Sequence, residues 1–380
     1  MARTASRWLA GPTRFAALSR SRARIGLALL PVLLLLCLSA LFAAQPPSAG
    51  MSATGEPTSS ADEAPAHDSD VVLYEKIVAG VRSDAGDYYT VATDAMRAGR
   101  YPLRPFVTVR MPALATVQAA LPDWGPSLLL VLLAAVTAAA WGLRLGEVLP
   151  GWAPRAAASV LLLGSMLALL QPALWALHDL WAGLLIALSL ALRRPGRWME
   201  AVALALAAML IRETAALYVV VMAALAWRDG ARAEARGWVA ALLLFGLALA
   251  AHAHAVMGAT SPLDAILPGW TGLLGAGFFV KAVTLSTVLQ FLPLWGGALL
   301  VGLILFGWAS WADPLGHRFL VVLIAYGALI GVFARPENFY WALIVAPLFL
   351  VGLVFVPDGL RDLVARALDK RRITVTRVTR

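Results

Sequence analysis

Cysteine and lysine are nearly missing from this chain, and charge of either sign is scarce. One cysteine, Cys37, leaves no possible intrachain disulfide and no cysteine metal cluster. Inside an apolar run it reads as a small packing residue. Charged residues are 14% of 380, where an ordinary soluble domain has roughly 25%. That leaves too little polar surface to clothe the apolar mass, which excludes disorder and argues against a soluble enzyme. Several motifs are also missing: GxxxxGK[ST], GxSxG, HExxH and a glycine-rich dinucleotide loop. ATP hydrolysis, serine-type acyl transfer and zinc hydrolysis therefore have no support, and no cofactor is expected. His252 and His254 stand two apart, pointing to different faces of a helix, with no third ligand in view. No metal is expected either.

What is present is hydrophobic: 61% of the residues, beside a net charge of +9. Residues 1–24 hold six arginines and no acid, and residues 357–380 hold seven basic and three acidic residues. The tails thus carry +6 and +4, and everything between them −1. Basicity confined to the ends reports orientation in a membrane, with lipid as the partner, and gives no reason to expect nucleic acid. With 28 arginines to three lysines the composition fits a high-GC bacterium and its inner membrane. An arginine-rich, acid-free start also resembles an organellar transit peptide.

The fold class expected is all-α: a polytopic transmembrane helix bundle of about ten membrane elements, two of them short, with extracytoplasmic surface helices in the first outer loop. A cytoplasmic basic tail (1–24) precedes a first transmembrane anchor (25–44), a flexible linker (45–70) rich in Pro, Ser, Ala and acid, and an extracytoplasmic loop (71–125). The transmembrane bundle (126–356) and a second cytoplasmic basic tail (357–380) follow. Ala43 and Ala44 look like a cleavage site, but the run before them exceeds the usual length of about 7–15 residues, which favours an uncleaved anchor. In the loop, "DYYTVATDAMRAG" and "MPALATVQAAL" have the pattern of amphipathic surface helices, the first stopping at Gly99 and the second opening near Pro112.

Further apolar runs cover 126–145, 156–173, 178–192, 198–227, 238–256, 290–311, 318–334 and 340–357. The arginine-bearing connections 144–155, 193–197 and 228–236 are cytoplasmic by the positive-inside rule. Both flanks of the 198–227 run then lie on one side, so it has to be two short helices turning near Ile211-Arg212-Glu213-Thr214. The same parity places 45–125, 171–179, 257–289 and 334–340 outside, with both termini cytoplasmic. The ionisable residues converge on that outer face: Asp84, Asp87, Arg110, His178, Asp179, Arg212, Glu213, Lys281, Arg335 and Glu337.

Each has a plain reading beside a chemical one. Charges within an apolar run cost about 2.5–3.5 kcal/mol each on insertion scales, so Arg212 and Glu213 are either a self-neutralising pair at the turn or a functional site. An arginine there is suited to gripping a lipid phosphate. Asp84 and Asp87 precede a helix, where a cap and a first-turn acid explain them; one of them as a general base is the alternative. Arg335 and Glu337 sit on a turn next to Tyr340 and Trp341, a set that anchors at the headgroups or adds a second phosphate contact. His178-Asp179 is a solvated turn or an oriented acid/base pair. The fourteen tryptophans read as interfacial belt residues.

Taken in order, these features resemble the GT-C class of integral membrane glycosyltransferases. Asp84…Tyr88 is similar to that class's Asp-x-x-x-Tyr motif, and "GRYPLRPFVTVRMPALATVQAAL" to the stretch that follows it. "LALAAMLIRETAALYVVV" resembles its two short helices meeting at a basic and a polar residue; Arg335, Tyr340 and Pro347 resemble its final motif. The likeness covers about residues 20–357, with a longer linker and Ala85 where many members carry a second acid. It implies inverting transfer of a sugar from a polyprenyl-phosphate-linked donor to a glycan, lipid or protein acceptor on the extracytoplasmic side. By that resemblance Asp84 serves as base with Asp87 in support, and Arg212, Arg335 and Lys281 hold the leaving phosphate. Tyr88, Arg110, His178, Asp179, Glu213, Glu337 and Tyr340 support them. The rival reading is a secondary transporter or flippase for a lipid or small anionic substrate, with the 198–227 hairpin as a broken-helix site.

Overall fold

Long apolar runs become helices, and the breaks fall where glycine, proline or charge interrupts them. The computed structural model describes residues 8–46, 70–83, 86–166, 171–267, 269 and 272–369. Among these the only paired extended backbone is two isolated bridges, Arg104 with Ile266 and Arg194 with Arg197. Fifteen α-helices carry the chain. The first is α1 (Arg20–Cys37), prolonged by a 3-10 turn, Leu38–Leu41. Three short helices follow: α2 (Asp70–Arg82), α3 (Tyr88–Ala98) and α4 (Ala113–Ala119). Then come α5 (Gly125–Val148), α6 (Trp152–Ser165), α7 (His178–Leu192), α8 (Met199–Ile211), α9 (Ala216–Arg228) and α10 (Arg232–Ala259). The chain ends with α11 (Gly275–Leu285), α12 (Leu294–Ser310), α13 (Pro314–Phe333), α14 (Ala346–Phe349) and α15 (Val356–Leu368). Four segments are long and apolar enough to cross a membrane: Arg20–Leu41, Gly125–Val148, Arg232–Ala259 and Pro314–Phe333. The pair Pro336–Ile344 and Ala346–Leu368, bent by 56°, makes a fifth.

Ion pairs and backbone bonds identify the two ends of the bundle. At one end Arg193, after α7, grips Glu234 of α10 at 2.9 and 2.8 Å. Arg318 of α13 reaches Asp229, between α9 and α10, at 2.6 Å, and Arg144 of α5 donates to the Ala191 and Arg193 carbonyls. The first and last described segments meet there as well, the Ala10 amide donating to the Val148 carbonyl at the end of α5. The Leu9 amide donates to Asp358 at 2.7 Å, the Thr13 amide and hydroxyl donate to Asp362 at 2.9 and 3.0 Å, and Arg24 reaches the Ala367 carbonyl. Because Arg193 and Glu234 are paired, α8 leaves this end and α9 returns to it. Its turn is at Arg212, whose extended backbone (φ −140°, ψ 111°) breaks the helix, followed by a 3-10 turn over Glu213–Ala215.

Height separates these helices. At about 1.5 Å per residue, the 13 residues of α8 rise roughly 20 Å and the 28 of α10 roughly 42 Å from the same end. The centre of the bundle is α7, buried from His178 to Ala191. Its Gly183 packs on the final segment so closely that a Cβ would lie 2.6 Å from the Leu343 carbonyl oxygen. In a regular helix that carbonyl would receive the amide of residue 347, which here is a proline without an N–H. Buried indoles likewise find carbonyls, Trp141 that of Ala187 at 2.8 Å and Trp308 that of Phe349 at 3.1 Å.

Beyond the turn of α8 and α9, helices α2, α3 and α4 form a cap with its own apolar cluster: Leu73, Ile77, Val78, Tyr88, Ala92, Met96, Leu103, Val109 and Ala115, joined by Val256 of α10. Several expected boundaries move. The loop carries three helices, since α2 begins at Asp70. Within the run 156–173, α6 ends at Ser165, residues 167–170 lie outside the described residues, and a 3-10 turn covers Pro172–Ala176. The segment 257–289, expected as an outer loop, contains α11, whose residues Gly277–Thr284 are buried. Eleven residues are too few to span a bilayer but enough to pack inside the bundle. The last run is not one straight helix: proline at 347 and close contact at Gly352 turn it into 3-10 segments and short helices.

Candidate functional site

Where the cap meets the turn of α8 and α9, polar side chains from five parts of the chain meet. Arg212 is 1% exposed, and ionised groups so placed persist only when paired. Its Nε donates to Asp179 at 2.8 Å and its Nη1 to Glu213 at 2.7 Å. Glu213 also accepts from Arg110 Nη1 at 2.6 Å, and Arg110 Nε donates to the Tyr74 hydroxyl at 3.0 Å. The result is a chain of alternating charge, Asp179–Arg212–Glu213–Arg110, ending on Tyr74 of the cap. Trp341 lies with its ring centroid 5.4 Å from the Arg212 guanidinium carbon. The edge of His178 meets Tyr74, ring centroids 4.6 Å apart. Tyr340 donates to the Asp70 carboxylate. Arg212 Nη2 is buried with no hydrogen-bond partner among the described residues, as are both ring nitrogens of His178.

Local structure explains these positions. His178 and Asp179 open α7, directly after a 3-10 turn, so both are buried at a helix start and the solvated-turn reading does not hold. Arg212 and Glu213 stand on non-helical backbone, which aims both side chains off the helix axes. Tyr88 donates from α3 to the Arg110 carbonyl at 2.8 Å, fixing the strand of chain that delivers Arg110; burial raises the pKa of its phenol. His252 of α10 faces the Tyr89 hydroxyl and the Val109 carbonyl (3.3 and 3.1 Å), tying the cap to the tall helix. No group of three or more metal-ligating side chains occurs among the described residues.

Other expected site residues stand apart. Asp84 lies outside the described residues. Asp87 is the N-cap of α3, accepting from the Tyr89 and Thr90 amides at 2.7 and 3.1 Å and from the Thr90 hydroxyl at 2.9 Å. Those bonds, the Thr90 amide foremost, hold its carboxyl below the usual carboxylate range. It is exposed and bonded to nothing in the cluster. Lys281 Nζ donates to the Ala43 carbonyl at 2.5 Å, tying α11 to the end of the first span, and makes no bond to the cluster. Arg335 pairs with Glu337 at 2.7 Å, and neither is bonded to the cluster. Arg110, expected among the supporting residues, joins the loop to the bundle through Glu213.

Asp70, Tyr74 and Trp341 were not among the residues expected here. A signal existed for two of them: Asp70-Val-Val-Leu-Tyr74 repeats the Asp-x-x-x-Tyr spacing of Asp84…Tyr88. It lay at the edge of an acid-rich linker and was masked by it. The chain matches no protein-family profile, no curated protein and no solved structure.

Proposed function

We propose that this chain is an integral membrane glycosyltransferase similar to the GT-C class. In this reading it transfers a sugar, with inversion, from a polyprenyl-phosphate donor to an extracytoplasmic glycan, lipid or protein acceptor. The observation that carries the reading is the buried Arg212 guanidinium, whose Nη2 has no hydrogen-bond partner among the described residues, recessed beneath the cap. A lipid phosphate is the ligand suited to such a donor, because its oxygens match the guanidinium fork and it arrives from within the bilayer. Asp179 and Glu213 already pair with the arginines, so the phosphate is an added acceptor in the network. Arg110 and Glu213 hold that geometry, with Tyr74, Tyr88 and His178 packed around it. The arginine-rich end is then cytoplasmic, the cap periplasmic, and the membrane a bacterial inner membrane.

The interrupted α8–α9 pair also favours a second reading, a transporter or flippase, in which broken helices form the substrate site. Reconstituted protein incubated with radiolabelled polyprenyl-phosphate sugars separates the two. Covalent transfer to an added lipid or glycan acceptor supports the enzyme. Movement of label across the bilayer without a new glycosidic bond removes it.

A further inference from the structure

Three carboxylates belong to the cluster, and two of them are taken. Asp179 is bonded to Arg212, and Glu213 is shared between Arg212 and Arg110. A carboxylate ion-paired at 2.6–2.8 Å is committed to its arginine, since taking a proton from an acceptor would strip that arginine of its counter-charge. Asp70 differs on each count. Among the described residues it has no arginine or lysine partner, and the hydrogen bond its carboxylate accepts comes from the Tyr340 hydroxyl. It is partly exposed, whereas Asp179 is buried. It also opens the helix that carries Tyr74, and the Tyr74 hydroxyl lies within electrostatic range of Asp70, Arg110 and Arg212 together.

Resting on the glycosyltransferase reading, we infer that Asp70 is the proton acceptor of the site, in place of Asp84 or Asp87, and that Tyr340 is its positioning residue. The acceptor hydroxyl gives its proton to the Asp70 carboxylate as its oxygen bonds to the anomeric carbon. The bond from that carbon to the donor phosphate oxygen breaks, and the electron pair leaves with the polyprenyl phosphate. The charge gained by that phosphate falls to the unpartnered Nη2 of Arg212. Asp87 is unsuited to the role because three hydrogen bonds from α3 already occupy its carboxylate.

Asp70 is also a first-turn acid, a position the helix dipole favours. Asparagine keeps a good helix start while removing the base, so Asp70→Asn is the informative variant. In the reconstituted protein its kcat is expected to fall about 100-fold or more, the usual scale for a lost general base, with the Kd for polyprenyl-phosphate sugar within about threefold of wild type. Asp70→Glu recovers part of the rate, and Tyr340→Phe lowers kcat several-fold without weakening donor binding. If Asp70→Asn keeps a near-wild-type kcat, or Asp84→Asn loses more than it does, the inference is overturned. Should Asp70→Asn fail to insert, unchanged kcat in both Asp70→Glu and Tyr340→Phe overturns it instead. If the wild type transfers sugar from none of the donors, the glycosyltransferase reading fails first and the assignment of Asp70 goes with it.

Discussion

The bundle and the cap are built from opposite materials. The bundle is mostly apolar between its two ends, and backbones approach where glycine allows: a Cβ on Gly352 would lie 2.5 Å from the Ile304 carbonyl oxygen and as near the Trp308 ring. The cap is three short amphipathic helices around about ten buried residues, held to the bundle by a few polar bonds, among them Arg110–Glu213, Tyr340–Asp70 and Gln118 to the Trp175 carbonyl. Tight packing makes the bundle stiff and sparse attachment leaves the cap separable. The charged network sits at the seam, where one partner of each cross-link is rigid and the other is carried by the looser layer.

The sharpest way to break that contrast is at the seam itself. Asp179→Ala leaves Arg212 with Glu213 alone and should cost about 3 kcal/mol, the lower range for breaking a buried pair. A thermal melt in detergent would reveal it, and an unchanged Tm would deny the pair its structural role. Inside the bundle, Gly352→Ala forces α12 and the final segment apart and is expected to cost about 1–3 kcal/mol by overpacking. Its loss should be global, lowering the melting temperature and hydrogen-exchange protection across α7 and α12 alike. Tyr88→Phe removes one hydrogen bond, to the Arg110 carbonyl, and should cost about 1 kcal/mol. Here the effect is local: faster exchange in α3 and the Arg110 segment, with α7 unchanged. Equal acceleration in α7 would mean that cap and bundle unfold as one.

The smallest effect lies on the outer rim of the cap. Arg97 of α3, bonded to Asp264 at 2.9 and 3.0 Å, holds that carboxyl at about 2, below the ordinary value. A depressed pKa contributes stability above the unfolded value and loses it as pH falls, so this contact fades between about pH 4 and pH 2. Asp264→Asn should therefore loosen the cap slightly at neutral pH and flatten its acid dependence. An acid profile identical to wild type would count against the pairing.

Much of the architecture was legible in residue order, because orientation depends on charge placement. Arginines on both sides of the 198–227 run required a turn inside it, and the turn falls at Arg212. Asp87 and Gly99 bracket α3 through chemistry local to each end. What was hidden depends on contacts between distant segments. The Gly275–Leu285 helix carries Lys281 in its middle and is too short for a span, yet the Ala43 carbonyl satisfies that ammonium. Pro347 announces a break, but its consequence requires Gly183 of another helix lying against the Leu343 carbonyl. For the site, Arg110, Asp179, Arg212 and Glu213 stood out as costly charges in apolar or outer segments. Asp70 did not, since an acid beside an acid-rich linker looks like more linker.

The difference in height between α8 and α10 has a consequence for water. If the shared end of these helices lies at one face of a hydrocarbon layer about 30 Å thick, the Arg212 turn falls short of the other face by roughly 10 Å. The upper part of α10 continues past it as a post on which His252 and Val256 hang the cap. Ionised groups at that depth meet a low dielectric, so the charge on Arg212 has to be balanced by fixed neighbours and not by bulk solvent.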